Sequence, residues 1–457
     1  MRDYVLLTII LGSLPFCFAR PYIGIYMWAW ISYMNPHRLA WSYNVKYFPV
    51  ALCVGSATLI GYLFVKERDK LPMEREVVLL ILLWAFYTFT SFFGLSTFVW
   101  EEWNRTSKIL LFTFMTIILC MDKQKLKSLL LIIAFSISFY GVKGAIFSIL
   151  TGGNNRVWGP EDSFIEDNND LGLALLMVMP ILLYISKMEE NKKLQLLLRI
   201  SFCSCVIATL FTYSRGTFLG LVVLFLSLLY KSKKKILLAL FVGVAIAGAA
   251  MFVPEKLVDR IESIKTYQQD SSAMGRINAW YFAWNLALDR PFVGGGFGVS
   301  EQRIFRLYAP DPLDFHASHS IYFEVLGEHG FVGLGLFLAL LISSILSVKK
   351  MKKNLKHLPS FQWLCNYCDM IELSLVAYMV SGAFLGRAYF DLYYHMISIV
   401  VILKFLAKKE YDFYVREQSS YMTAENDHVL NGVAISGLTG VIEAQDEDVR
   451  VKVRREV

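Results

Sequence analysis

A few ionisable side chains in this sequence stand at the margins of long apolar runs, where such groups are costly and are functional candidates by default. Arg215 breaks an apolar region between Phe211 and Leu219. His319, followed by Ser320, opens another after the stretch His316–Ser318. Arg276 lies between Gly275 and Trp280 in the longest polar connection of the chain. Weaker candidates at the same kind of boundary are Arg156, Asn168, Asn169, Asp170 and Arg387. Guanidinium groups bind diphosphate oxygens bidentately and need no metal to do so. An imidazole with an ordinary pKa of about 6.5 can take a proton from an attacking hydroxyl. Together the types suggest polyanion binding coupled to proton transfer. Each residue also has an ordinary alternative: Arg215 as a snorkelling arginine at a turn, Arg276 as a solvated helix residue, His319 as a structural interface histidine, Asn168 and Asn169 as helix caps.

Metal chemistry finds little support in the spacing. His316, His319, His329 and Glu324 do not make a zincin pattern, and no P-loop or dinucleotide fingerprint is present. Asp311 and Asp314 are spaced differently from the carboxylate pair of metal-dependent sugar transferases. No metal and no cofactor is expected. Cys365 and Cys368 alone cannot close a four-ligand zinc site. The seven cysteines lie mostly in or beside apolar runs, which argues against a disulfide framework.

The elements that must carry these residues are membrane helices. Of 457 residues, 56% are hydrophobic, 15% aromatic and only 18% charged, with a mean hydropathy of +0.48. A soluble chain carries roughly 25% charged residues, so a water-soluble body of this size is excluded. Candidate spans lie near 4–18, 20–34, 48–65, 77–95, 106–121, 126–149, 169–186, 198–213, 216–230, 236–253, 319–347, 370–386 and 389–406. A spanning helix needs about 20 apolar residues. The first two runs are short and form either a tight hairpin or one span with an interfacial piece. The expectation is an all-α polytopic bundle of 12 or 13 transmembrane helices. The run at 4–18 reads as a retained segment, not a signal peptide.

Net charge is +7, but its placement matters more than its sum, and nucleic acid is not an expected partner. The basic clusters 66–70, 123–127, 192–193, 231–235 and 349–353 fall in alternate loops. By the positive-inside rule that side is cytoplasmic. Opposite it lie 35–47, 96–105, 150–168, 254–318 and the turn Gly386–Ala388. The chain therefore divides into N-terminal membrane helices (1–253), one long structured external loop (254–318), C-terminal membrane helices (319–407) and a polar tail (408–457) expected to be cytoplasmic and disordered. Gly330 and Gly333 fall near the azimuth of His319 on a continuous helix, a small-residue stripe suited to close helix approach.

His319-Ser320 followed by Gly330 and Gly333 resembles the histidine motif of bacterial O-antigen ligases, in the polymerase/ligase membrane superfamily. Arg215 to Leu219 resembles that family's arginine motif, and Gly275 through Gly296 is similar to its long periplasmic loop. Upstream, Asn35 to Trp41 and Arg156 to Asn169 resemble exosortase A-associated putative O-glycosylation ligases. The likeness covers roughly residues 1–405. It implies a multi-pass enzyme of the bacterial inner membrane with its site facing the periplasm. It would move a glycan from an undecaprenyl-diphosphate carrier to an acceptor hydroxyl on lipid A-core, a protein or another glycan. The implied roles are catalytic for His319, Arg215 and Arg276, and substrate-binding for Arg156, Asn169, Arg387 and Ser320. The rivals are a polysaccharide polymerase of the same superfamily and a transporter of lipid-linked sugars. Transport would call for inverted repeats and a charged midplane site, and no such duplication is seen.

Overall fold

A computed structural model describes residues 2–232 and 271–432. The expected span at 236–253, the lysines at 233–235, the stretch 254–270 and the tail beyond 432 lie outside the described residues. Every regular element described is helical. In chain order they are α1 (Arg2–Ala19), α2 (Pro21–Met34), α3 (Val50–Phe64), α4 (Arg75–Ser91), α5 (Val99–Leu119), α6 (Lys123–Leu150), α7 (Asn168–Met188), α8 (Lys192–Leu210), α9 (Arg215–Lys231), α10 (Ser271–Asp289), α11 (Gln302–Tyr308), α12 (Ile321–Leu355), α13 (Gln362–Ser381) and α14 (Asp391–Gly432), with short turns between some of them. Among the described residues, five helical stretches are long and apolar enough to cross a membrane: α6, α7, α8, α12, and Pro359–Phe384, which contains α13. Asp3–Ala19 and Val50–Phe64 are shorter apolar helices.

Local chemistry explains many of the starts. Asp122 caps α6 by accepting from the amides of Gln124 (2.9 Å) and Lys125 (3.1 Å). Asn191 does the same for α8 at Lys193 (3.0 Å) and Leu194 (3.3 Å). Such side-chain acceptors satisfy amides that have no partner in the first helical turn. Pro21 at the first position of α2 has no amide to satisfy there. The amides of Trp41 and Ser42 donate to the Asp3 carboxylate at 3.2 and 2.7 Å, so the start of α1 lies beside the loop that follows α2. The first two runs are thus an antiparallel hairpin.

The basic loops gather at one end of the bundle. Lys127 pairs with Glu189 at 2.9 Å. Lys231 and Lys352 meet Asp369 at 2.6 and 2.7 Å, and Lys404 meets buried Glu76 at 2.7 Å. Helix α7 runs through the centre, with α6, α8, α9 and α13 around it. The polar tail does not begin where expected. Helix α14 continues from Asp391 to Gly432, so residues 408–432 extend a helix where disorder is expected. No glycine or proline interrupts 392–431, and polarity by itself does not end a helix.

At the opposite end, the described part of the long connection, 271–318, is folded against the bundle. Helices α10 and α11 share a small core of Ala279, Phe282, Ala283, Leu286, Val299, Ile304 and Phe305. Phe297 is 1% exposed and packs against the rings of Tyr87 and His329, with centroids 5.5 and 4.6 Å away. Burying such a ring contributes about 2 kcal/mol. The Glu301 carboxylate accepts from Ser96, from the Thr97 amide (2.8 Å) and from Arg303 (2.7 Å). Burial works against its ionised form, yet bonds from Ser96, Arg303 and Thr97 outweigh burial and bring the carboxyl down to about 2.

Helix α12 departs from the continuous helix that the glycine stripe presumes. Gly330 has φ 64 and ψ −167 and kinks it. A kink takes carbonyls out of the helical ladder, and at this depth they need protein partners. The Gly295 and Gly296 amides donate to the carbonyls of Gly327 (2.9 Å) and Glu328 (2.7 Å), while the Phe331 amide donates to Pro291 (2.9 Å). Gly330 therefore meets the backbone of a loop, not a neighbouring helix.

Candidate active site

His319 immediately precedes the first turn of α12, in left-handed backbone geometry (φ 41). Two contacts hold it there. The Trp280 indole donates to the Ser318 carbonyl at 2.7 Å, and its ring stacks on Phe323 at 5.1 Å. Arg276 and Trp280 are four residues apart on α10, hence on one face. Pinning the indole therefore turns Arg276 toward the histidine. Burial lowers the His319 pKa, and the charges of Arg276, His316 and Arg387 lower it further, while Asp167 opposes them. The imidazole is thus held as the neutral base. The loop before it is fixed by Asn278, whose amide nitrogen donates to the carbonyls of Asp311 (2.8 Å) and Asp314 (3.0 Å).

Arg387 sits in the short turn between α13 and α14. Its guanidinium pairs with Asp170 in the first turn of α7, and its carbonyl accepts from Tyr378 at 2.9 Å. Arg215 begins α9, capped by Ser214, which accepts from the Thr217 amide at 3.2 Å. The next residue, Gly216, has its carbonyl bonded by Ser381 at 3.2 Å. A Cβ on Gly216 would stand 2.8 Å from Phe384, so α9 enters the bundle against the turn that also carries Arg387. A Cβ on Gly386, in the same turn, would lie 3.7 Å from the His319 Cα. Arg215, Arg387, His319 and Arg276 thus border one region at the end opposite the basic loops.

The remaining candidates are placed as follows. Asp167, not either asparagine, caps α7: it accepts from both the amide (2.8 Å) and the side chain (2.7 Å) of Asn169. Asn168 instead donates to the Thr212 carbonyl at 2.7 Å, tying α7 to the turn before Arg215. Arg156 is exposed. Its neighbour Val157 donates its amide to Phe211 at 3.0 Å, which lays that loop beside the same turn. Ser320 is buried, and its carbonyl accepts the Glu324 amide at 2.8 Å. The loops at 35–47 and 151–167 are joined by Asp162, which meets Lys46 at 2.9 Å and Arg38 at 3.8 Å.

Sequence reasoning did not pair the acids of this region. Asp170 meets an arginine 217 positions away. Glu328 accepts from the Gly298 amide at 2.7 Å and from the Tyr389 hydroxyl. Their only sequence signal is their presence beside apolar runs. Among the described residues, no three His, Cys, Asp or Glu side chains converge to hold a metal.

The described residues thus form a helical bundle with an imidazole and guanidiniums at one end. Residues 200–338 match the family model described as O-antigen ligase, and residues 1–190 match that of a family of unknown function. No curated protein matches the chain. Residues 200–338 are thus an O-antigen ligase domain, which supports a function of the ligase or polymerase type in general. Arg215, Arg276 and His319 all fall inside the ligase match, and Arg387 falls outside both.

Proposed function

We propose that the chain is a glycosyltransferase that moves a glycan from undecaprenyl diphosphate to an acceptor hydroxyl, on lipid A-core or another O-glycosylated acceptor. The site faces the periplasm of the inner membrane, and the C-terminus is cytoplasmic. The observation that carries this reading is a half-buried imidazole whose backbone adjoins the Arg387 turn and is held by the helix that bears Arg276. The acceptor oxygen attacks the anomeric carbon as His319 takes the hydroxyl proton. The bond from that carbon to the diphosphate oxygen breaks, and the electron pair leaves with the carrier. Arg215 and Arg276 stabilise the charge growing on the diphosphate without a metal. Direct displacement inverts the anomeric centre. Arg156, Asn169, Arg387 and Ser320 hold the sugar and carrier beside these groups.

The test is transfer in detergent from extracted carrier-linked glycan to candidate acceptors. His319→Ala is expected to lose at least a hundredfold in rate, the usual range for removing a general base. Full transfer by a normally inserted His319→Ala protein overturns the mechanism. Deletion of the chain is expected to leave long carrier-linked glycans. Single repeat units would identify a polymerase instead. Transfer by detergent-solubilised protein, with no sealed membrane, is incompatible with pure transport.

A further inference from the structure

Beyond the residues so far given roles, the turn Gly386–Ala388 has one more attachment. Glu324 lies in the first turn of α12, its amide bonded to the Ser320 carbonyl at 2.8 Å. Its Oε2 accepts the Ala388 backbone amide at 2.9 Å. Its Oε1 stands 3.8 Å from where a Cβ on Gly386 would be, and that same point is 3.7 Å from the His319 Cα. Asp170 on α7 and Tyr378 on α13 hold the turn from two other sides. Glu324 joins it to the helical turn that His319 precedes.

We infer that Glu324 is a positioning residue for glycosyl transfer: its carboxylate clasps the Arg387 turn to the start of α12 and so sets the spacing between Arg387 and His319. This inference rests on the transfer reading above. The bond runs from a backbone amide to a side-chain carboxyl oxygen, with ordinary hydrogen-bond length. It holds backbone, so it fixes where the arginine starts from.

Two substitutions separate reach from charge. Glu324→Gln keeps an acceptor oxygen at the same distance. Glu324→Asp keeps the charge but shortens the side chain by about 1.5 Å, which takes the 2.9 Å contact beyond hydrogen-bond range. Both are assayed as purified full-length protein, with carrier-linked glycan extracted from cells lacking this chain. The expected result is a fall in kcat of about tenfold to a hundredfold for Glu324→Asp, with little change in donor KM. Glu324→Gln is expected to stay within about fivefold of the parent. An active aspartate variant beside an inactive glutamine variant overturns the proposal, because charge or proton exchange is then what matters. Equal activity of all three proteins, or equal loss in both variants at unchanged unfolding midpoint, also overturns it. Should the aspartate variant fail to fold, the glutamine variant decides alone: positioning requires that it work. A parent protein without transfer activity overturns the underlying reading instead.

Discussion

Replacing Gly330 by alanine tests the mechanical link between the long connection and the helix that His319 precedes. At φ 64 and ψ −167 the residue lies in a backbone region that is essentially glycine-only, and holding another residue there costs about 1–3 kcal/mol. The added Cβ would also lie 2.5 Å from the Pro291 carbonyl oxygen and 3.0 Å from its carbon. These are main-chain atoms that cannot rotate aside. Relief requires the 291–296 segment to move off the kink, at the expense of the three amide–carbonyl bonds made there, each contributing about 1 kcal/mol. The combined cost is about 4–6 kcal/mol, a large part of the 5–15 kcal/mol by which ordinary domains are stable. Gly335, five residues on in the same helix, has no atom within 4 Å of an added Cβ. Alanine there is neutral or stabilising by up to about 1 kcal/mol. Thermal unfolding in detergent, with limited proteolysis across 291–298, should show a lowered midpoint and new cleavage for Gly330→Ala only. Equal midpoints for Gly330→Ala and Gly335→Ala would refute the reasoning.

Two further outcomes follow from the charges around His319. With Arg276→Gln, one of the cations opposing the imidazolium is gone while His316, Arg387 and Asp167 remain. The His319 pKa then rises, and the acid limb of the residual kcat/KM profile moves to higher pH; a limb that stays or moves lower contradicts the assignment. For the Asp170–Arg387 pair, removing either partner leaves a mostly buried charge alone, typically a loss of 3–5 kcal/mol. A double-mutant cycle with Asp170→Ala and Arg387→Ala, read by unfolding midpoint, should give clearly less than additive destabilisation, and strict additivity argues against the pair.

The helices were legible because a run of apolar side chains long enough to span lipid leaves the backbone few other ways to satisfy itself. The order of the apolar helices follows the hydropathy pattern, and the capping residues of α6 and α8, Asp122 and Asn191, stand where local chemistry puts them. What escaped the sequence depends on distant partners. The hairpin of α1 and α2 is settled by Asp3 meeting amides at positions 41 and 42, which no local window contains. Gly330 and Gly333 read as a stripe only if the helix is straight, and the kink needs the loop at 291–296 to complete it. Arg387 could be picked out as a lone cation between two spans, but its partner on α7 could not. Asn168 and Asn169 show the reverse error: two cap-like residues side by side, with the capping oxygen supplied by Asp167 just before them.

The seam between the 291–296 strip and the kinked helix is drawn entirely by amides and carbonyls. Apart from its glycines, it is indifferent to which side chains the strip bears. Substitutions at exposed Phe292 and half-buried Val293 can therefore change this surface while leaving the seam in register. A one-residue insertion or deletion in the strip would shift every amide past its carbonyl. For anyone re-engineering this strip, composition is the adjustable quantity and length is the fixed one.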